Sequence, residues 1–195
     1  INTVDRLELR KDTIIIFQSD HGHSHEERAH FGGGSSGPYR GAKFSMFEGG
    51  LRVPAIISWP GSLPEDVVRP QLAHSCDWLP TIAELTGAKL LNKDIDGKSI
   101  VKVIKKSEAI TPHKVIHWQL GRGKSPRWAV RHGDWKLIGN PQDTSNKAPL
   151  TAKDKLFLVN LKESVREMKN LSQANPEITQ RLKKLHEEWA AQNVK

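Results

Sequence analysis

The sequence predicts an α/β protein: parallel-sheet strands with helices over residues 1–110, then a small antiparallel sheet and a terminal helix over 111–195. Three patterns carry this expectation. Thr13-Ile-Ile-Ile-Phe17 and Val53-Pro-Ala-Ile-Ile-Ser-Trp59 are short, β-branched and apolar on both faces, the texture of strands covered on both sides. From about residue 111 the texture changes to short apolar runs separated by Gly, Pro and Asp-containing turns, which reads as an antiparallel meander. Near the end, Ile178, Leu182, Leu185 and Trp189 keep helical spacing and define one apolar stripe.

Taken in order, residues 1–9 alternate charged and apolar positions as at a helix end, and Ile14–Phe17 forms the first strand. A polar stretch from Ser19 to Lys43 follows, with glycines at 22, 32, 33, 34, 37 and 41, a composition that disfavours helix there. A long loop after a buried strand is more often functional than idle, and in open sheets ligands bind beyond the strands' carboxyl ends. The second strand closes at Pro60-Gly61. Ser75 or Asp77 caps a helix through Leu85, stopped by Gly87, and a short helix is expected around 99–106. Val115-Ile-His-Trp, Arg127-Trp-Ala-Val-Arg, Trp135-Lys-Leu-Ile and Lys155-Leu-Phe-Leu-Val are the meander strands, and residues 140–154 read as a mobile polar loop. Asn175-Pro-Glu opens the terminal helix, with proline at the first turn and an acid near the positive helix end.

Composition narrows the class. Hydrophobic residues make up 36% and charged residues 27%, so the chain can build a core and is not a disordered tail. No run reaches the ~18 apolar residues of a membrane helix. Cys76 stands alone, so no intrachain disulfide forms. The net charge of +8 favours anionic partners, yet the basic residues are dispersed and interleaved with Glu, the pattern of a solvated surface. The chain opens on Ile1 without a charged and then apolar leader, so it reads as cut from a longer protein.

The chemistry concentrates in the Gly-rich stretch. Asp20 and His21, side by side after a strand, offer an oxygen and a nitrogen to a divalent cation; otherwise Asp20 caps a turn and His21 is a polar loop residue. His21, His23, His25 and His30 invite zinc, but the acid precedes the histidines, unlike the zinc-binding order His-x-His-x-Asp-His. Lys43, between glycines, either neutralises a transferring oxyanion or is a surface lysine. Arg40 and Arg52 either clamp anions or satisfy loop carbonyls, and Glu48-Gly-Gly-Leu-Arg52 reads as scaffold.

Strand–Ser19-Asp-His-Gly22 followed by Gly37-Pro-Tyr-Arg-Gly-Ala-Lys-Phe-Ser-Met-Phe-Glu-Gly-Gly-Leu-Arg-Val-Pro54 resembles the C-terminal signature of type I, formylglycine-dependent sulfatases of the alkaline phosphatase superfamily. The resemblance continues through His74-Ser-Cys-Asp-Trp-Leu-Pro-Thr81, Asp96-Gly-Lys-Ser99, Val130-Arg-His-Gly-Asp-Trp-Lys-Leu137, and Leu156–Leu171 with Asn175-Pro-Glu. Leu161–Leu171 departs from it in lacking the usual Asp-Pro-x-Glu turn.

The resemblance implies the C-terminal part of an alkaline-phosphatase-like sulfatase fold. It implies Asp20 and His21 as ligands of the active-site calcium, although calcium prefers oxygen, and Lys43 as the catalytic lysine on the sulfate group. His117 and Trp118 fall where the C-terminal lobe approaches substrate, and either touch it or serve plain core or hairpin packing. In the implied mechanism a formylglycine hydrate attacks sulfur, the ester oxygen leaves with acid assistance, and a histidine-triggered collapse expels sulfate. Metal and lysines supply the charge stabilisation. Cys76 lies in Cys-Asp-Trp-Leu-Pro, which does not fit the Cys/Ser-x-Pro/Ala-x-Arg modification sequence, and reads as a small core residue. The nucleophile and remaining ligands are therefore expected upstream of Ile1, leaving this piece inactive by itself. The expected substrate is a sulfated carbohydrate or small molecule such as an aryl sulfate, with no nucleic-acid partner, in a periplasmic, secreted or lysosome-like compartment. Two alternatives remain: a phosphonate or phosphate monoester hydrolase of the same superfamily, and a non-catalytic basic module for anionic polysaccharide or nucleic acid.

Overall fold

A computed structural model describes residues 1–27, 32–145, 147–148 and 150–193. Two compact units divide the chain: Ile1–Gln18 with Pro54–Lys114, and Ser19–Val53 with Val115–Lys195.

In the first unit, helix α1 (Asn2–Arg6) precedes strand β1 (Ile15–Gln18), which pairs with β2 (Ala55–Ser58). The pair is antiparallel, Ile15 opposite Ser58 and Gln18 opposite Ala55, where the sequence reading expected parallel strands. A run that is apolar on both faces fixes strand identity but carries no information on partner direction. Nor is this pair covered on both sides: Phe17 and Ile56, directly opposed, are 64% and 59% exposed.

The unit's core is Leu63, Ile100, Val103 and Ile104, joined by Trp59, Trp78 and Leu85 from β2 onward, α3 (Trp78–Thr86) and α4 (Val101–Lys105). His74 and Asp77 form a reciprocal capping box before α3, and Gly87 ends the helix in the left-handed conformation. Asp77 is fully buried because its carboxylate is satisfied four ways. It accepts from the His74 and Lys98 amides at 2.7 and 2.9 Å and lies 2.8 Å from His113 Nε2 through either oxygen. The Asp-x-x-Pro-Thr helix and the Asp-Gly-Lys-Ser turn are thus one docking: the Ile100 amide donates to Thr81 Oγ1, and a Cβ on Gly97 would meet the Cys76 carbonyl oxygen at 2.0 Å. Cys76 itself is exposed rather than a core residue: it sits on the turn preceding α3, its thiol 3.2 Å from His74 Nδ1 and 3.9 Å from Asp77 Oδ1.

In the second unit the meander is observed as expected: β3 (Val115–Leu120), β4 (Arg127–His132), β5 (Trp135–Gly139) and β6 (Leu156–Asn160) form an antiparallel sheet in sequence order. Side chains alternate across it. One face holds Ala129, Ile138, Phe157 and Val159 against Met46 and Phe47; the other holds Trp128, Val130, Leu137 and Leu158 against Leu182 of α5 (Pro176–Asn193). Helix α2 (Glu48–Leu51) is a single turn on the first face. Among the described residues no helix is long and apolar enough to cross a membrane.

Helix α5 also buries His186, which stacks on Trp128 at 4.2 Å and 8° and lies tilted 5.7 Å from His117. Burial, with the neighbouring His117, pushes its pKa down from 6.5 to about 4. The unfolded chain therefore takes up this proton first. The stabilisation is complete above about pH 6.5 and is lost as pH falls towards 4, on the order of 3 kcal/mol at 1.36 kcal/mol per unit. Urea midpoints for the wild type should drop between pH 7 and 4, and a His186→Gln variant should show a smaller drop. Equal drops would assign the acid sensitivity elsewhere.

Candidate active site

Ser19–Val53 carries three of the candidate residues, and its backbone is folded tightly upon itself. Gly22 N donates to Gly50 O, Lys43 N to His23 O, and Gly49 N to Arg40 O, at 3.1, 2.9 and 2.7 Å. These bonds join three stretches: the Asp20–His23 turn, the Arg40–Ser45 loop and α2. The approach is possible only without side chains. A Cβ on Gly22 would lie 1.9 Å from Gly49 O, and one on Gly49 would lie 2.2 Å from Gly41 O. The Glu-Gly-Gly element is scaffold in this sense.

The Asp20 carboxylate is 83% exposed; Oδ1 accepts from the His21 amide at 3.0 Å and Oδ2 lies 3.2 Å from His21 Nε2. His21 Nδ1 is 2.7 Å from the Gly22 carbonyl, which can only accept, so Nδ1 carries a proton. In the neutral ring Nε2 then presents a lone pair towards a carboxylate oxygen. Two such donors at 3.2 Å repel unless a proton or a cation lies between them. The pair therefore fits two adjacent positions of a cation site and is no more than part of one. Among the described residues no group of three or more His, Cys, Asp and Glu side chains could hold a metal ion.

The other histidines do not join them. His23 Nε2 and His25 Nε2 face each other at 2.9 Å with rings at 75°, and His30 lies outside the described residues. Lys43, 19% exposed at its side chain, donates to Glu26 Oε2 at 2.7 Å; Ser24 Oγ donates to the same oxygen at 3.0 Å. A transferring anion would meet the Lys43 ammonium in competition with Glu26.

Arg40 satisfies loop carbonyls, one of its two sequence readings. It is 1% exposed, donates to Ala148 O at 2.6 Å and Glu167 O at 2.9 Å, and pairs with Asp143 at 2.7 Å. Its guanidinium lies 4.1 Å from the Phe47 ring centroid. Arg52 lies over Tyr39 instead. Glu48 holds a lysine: Lys136 of β5 lies 2.8 Å from Glu48 Oε1 and 2.9 Å from Glu167 Oε1. Burial alone would raise the Glu48 carboxyl, but the charge and hydrogen bond of Lys136 outweigh it and hold it low; at Glu167 burial prevails and the carboxyl is raised.

His117 and Trp118 point to opposite faces of the sheet, as strand neighbours must. His117 stacks on Trp189 of α5 at 5.0 Å and 2°, whereas Trp118 packs with the Met46–Phe47 cluster on the face that carries the Gly-rich segment.

The sequence model of the family described as Sulfatase matches residues 1–88. Arylsulfatase A of Bos taurus is 32% identical over 216 aligned positions, covering 95% of this chain and 39% of that protein. Steryl-sulfatase of Mus musculus is 33% identical over 154, covering 76% of this chain and 24% of the relative. The chain belongs to the sulfatase family. Its fold is that of a sulfatase's C-terminal part: the crystal structure of Ps i-CgsB in complex with k-i-k-neocarrahexaose superposes with a TM-score of 0.78 over 97% of this chain and 39% of that one, at 24% identity. This sulfatase chain spans roughly a quarter to two fifths of the length of these relatives.

The buried partners Asp143, Lys136 and Glu167 were not singled out from sequence. The alternation of β5 held a signal for one of them, since Lys136 shares a face with Ile138 and must point into the core.

Proposed function

We propose that the chain forms the C-terminal part of a sulfuric ester hydrolase, in which Asp20 and His21 ligate the active-site cation and Lys43 contacts the sulfate group. The observation that carries this reading is the facing of Asp20 Oδ2 and His21 Nε2 at 3.2 Å, on a turn bonded through His23 to the backbone of Lys43. Calcium is the proposed cation, and when bound it would supply positive charge to the sulfate oxygens. The hydrogen bond to Gly22 O keeps His21 in the tautomer that offers Nε2, and Lys43 offers a compact charge to the oxyanion in a cradle of fixed amides. A formylglycine nucleophile and the remaining ligands are assigned to another part of the protein, before Ile1. Residues 1–110 are assigned to the catalytic α/β domain and 111–195 to a C-terminal subdomain. A sulfated carbohydrate or aryl sulfate is the proposed substrate, with Trp118 the member of the His117–Trp118 pair on the side of the Gly-rich segment, and a periplasmic, secreted or lysosome-like compartment the proposed location.

The test is Asp20→Ala in the intact protein. Bound calcium should be lost and turnover of an aryl sulfate should fall by more than about a hundredfold, since even outer-sphere changes cost that much at metal sites. Wild-type metal content and turnover would overturn the assignment.

A further inference from the structure

We propose that Asp143 is a positioning residue for the sulfate-transfer site: through Arg40 and the Ser145 hydroxyl it fixes the backbone from which Lys43 projects, and so sets the turnover. This rests on the reading of Lys43 as the lysine that meets sulfate.

Gln142–Ser145 and Ala148 lie in the connection between β5 and β6, the polar stretch expected from sequence to be mobile. They form a strap over the Arg40–Ser45 loop. Asp143 Oδ2 accepts from Arg40 Nε at 2.7 Å and from the Ala148 amide at 3.1 Å; Oδ1 accepts from the Ser145 amide at 2.9 Å and the Ser145 hydroxyl at 2.6 Å. Its side chain is 5% exposed. Burial alone would raise this carboxyl, but hydrogen bonds from Ser145 and Arg40 outweigh it and hold it below the usual carboxylate range.

The proton accounting at Ser145 links Asp143 to the loop. A hydroxyl has one hydrogen to donate. That hydrogen goes to Asp143, which leaves the oxygen to accept from Gly41 N at 2.9 Å. Thr144 Oγ1 accepts from Ala42 N at 3.0 Å, and the Gln142 carbonyl accepts from Ser45 Oγ at 2.7 Å. With Lys43 N bonded to His23 O, three successive amides, Gly41, Ala42 and Lys43, are held by acceptors outside their own loop. A lysine is long and rich in rotamers, so the placement of its ammonium depends on a fixed root. A misplacement of about 1 Å can cost about a hundredfold in rate.

The experiment is a double-mutant cycle in the intact protein with an aryl sulfate as probe. Asp143→Asn should lower kcat about 10- to 100-fold with KM within about twofold, and in a Lys43→Ala background the same change should cost almost nothing, because its effect acts through Lys43. Amide exchange at Gly41 and Ala42 should accelerate while β4 and β5 keep wild-type protection. A full, additive loss in both backgrounds would overturn the proposal, as would wild-type kcat in a variant whose Gly41 and Ala42 amides exchange fast. Wild-type turnover in Lys43→Ala alone would instead sink the sulfate-site reading, so the two failures are separate. Should Asp143→Asn not fold, Ser145→Ala and Thr144→Val each release a single amide and carry the same cycle.

Discussion

A Lys136→Met variant is expected to lose about 3–5 kcal/mol of stability, the cost of breaking a buried ion pair by removing one partner. Lys136 is fully buried, with Glu48 and Glu167 both within 2.9 Å of its ammonium and the Glu48 amide donating to Glu167 Oε2 at 2.5 Å. Methionine fills the volume of the stem but leaves two carboxylates facing each other without a cation. They must then repel, take up protons or draw in water, and each route costs free energy in a site closed by the sheet. At roughly 2–4 °C per kcal/mol for a protein of this size, the thermal midpoint should fall by about 6–20 °C. Replacing Glu48 and Glu167 by Gln in the same background should recover much of the loss, since the penalty lies in the orphaned charges more than in the missing pair. Calorimetry reads both steps. A Lys136→Met midpoint equal to wild type would show that the triad contributes nothing to stability.

Lys43→Ala in the intact protein should lower kcat on an aryl sulfate by about 10²–10³, the loss that follows removal of one donor to a developing oxyanion. Bound calcium should stay at the wild-type level, because Lys43 is bonded to Glu26 rather than to Asp20 or His21. That combination separates Lys43 from Asp20→Ala, where metal and turnover fall together. Lys43→Arg should recover only part of the rate, as the planar guanidinium does not reproduce the compact ammonium beside Phe44 and Glu26. Unchanged kcat in Lys43→Ala would make this residue a surface lysine held by a surface acid.

The elements legible in the sequence are those specified by local periodicity or by one residue at a terminus. The four-stranded meander, the 176–193 helix with its Ile178–Leu185 stripe, and the Gly87 stop belong here, since each signal lies within the element it predicts. The pairing direction of β1 and β2 was not legible, because partner and orientation leave no mark on a run that is apolar on both faces. The site divides in the same way. Asp20, His21 and Lys43 stand in one compact motif, whereas their supports come from far along the chain: Lys136 is 88 residues from Glu48, and Asp143 is 103 from Arg40. The composition of 142–148 misleads for a physical reason. Asp, Thr and Ser serve equally as a solvated loop and as a row of acceptors for buried amides, and only the neighbour decides which.

Those separations also set an order of assembly. A chain is made from its N-terminus at about 5–20 residues per second, and contacts between distant residues form late because closing a long loop must precede any gain from it. The Arg40–Ser45 loop emerges early, yet the acceptors for its amides, Thr144 and Ser145, lie 102 and 104 residues later. A nascent chain halted before residue 142 therefore holds every side chain of the Asp20–His21–Lys43 set but lacks the acceptors for the Gly41 and Ala42 amides. Synthesis of the strap is the step at which this loop acquires its shape.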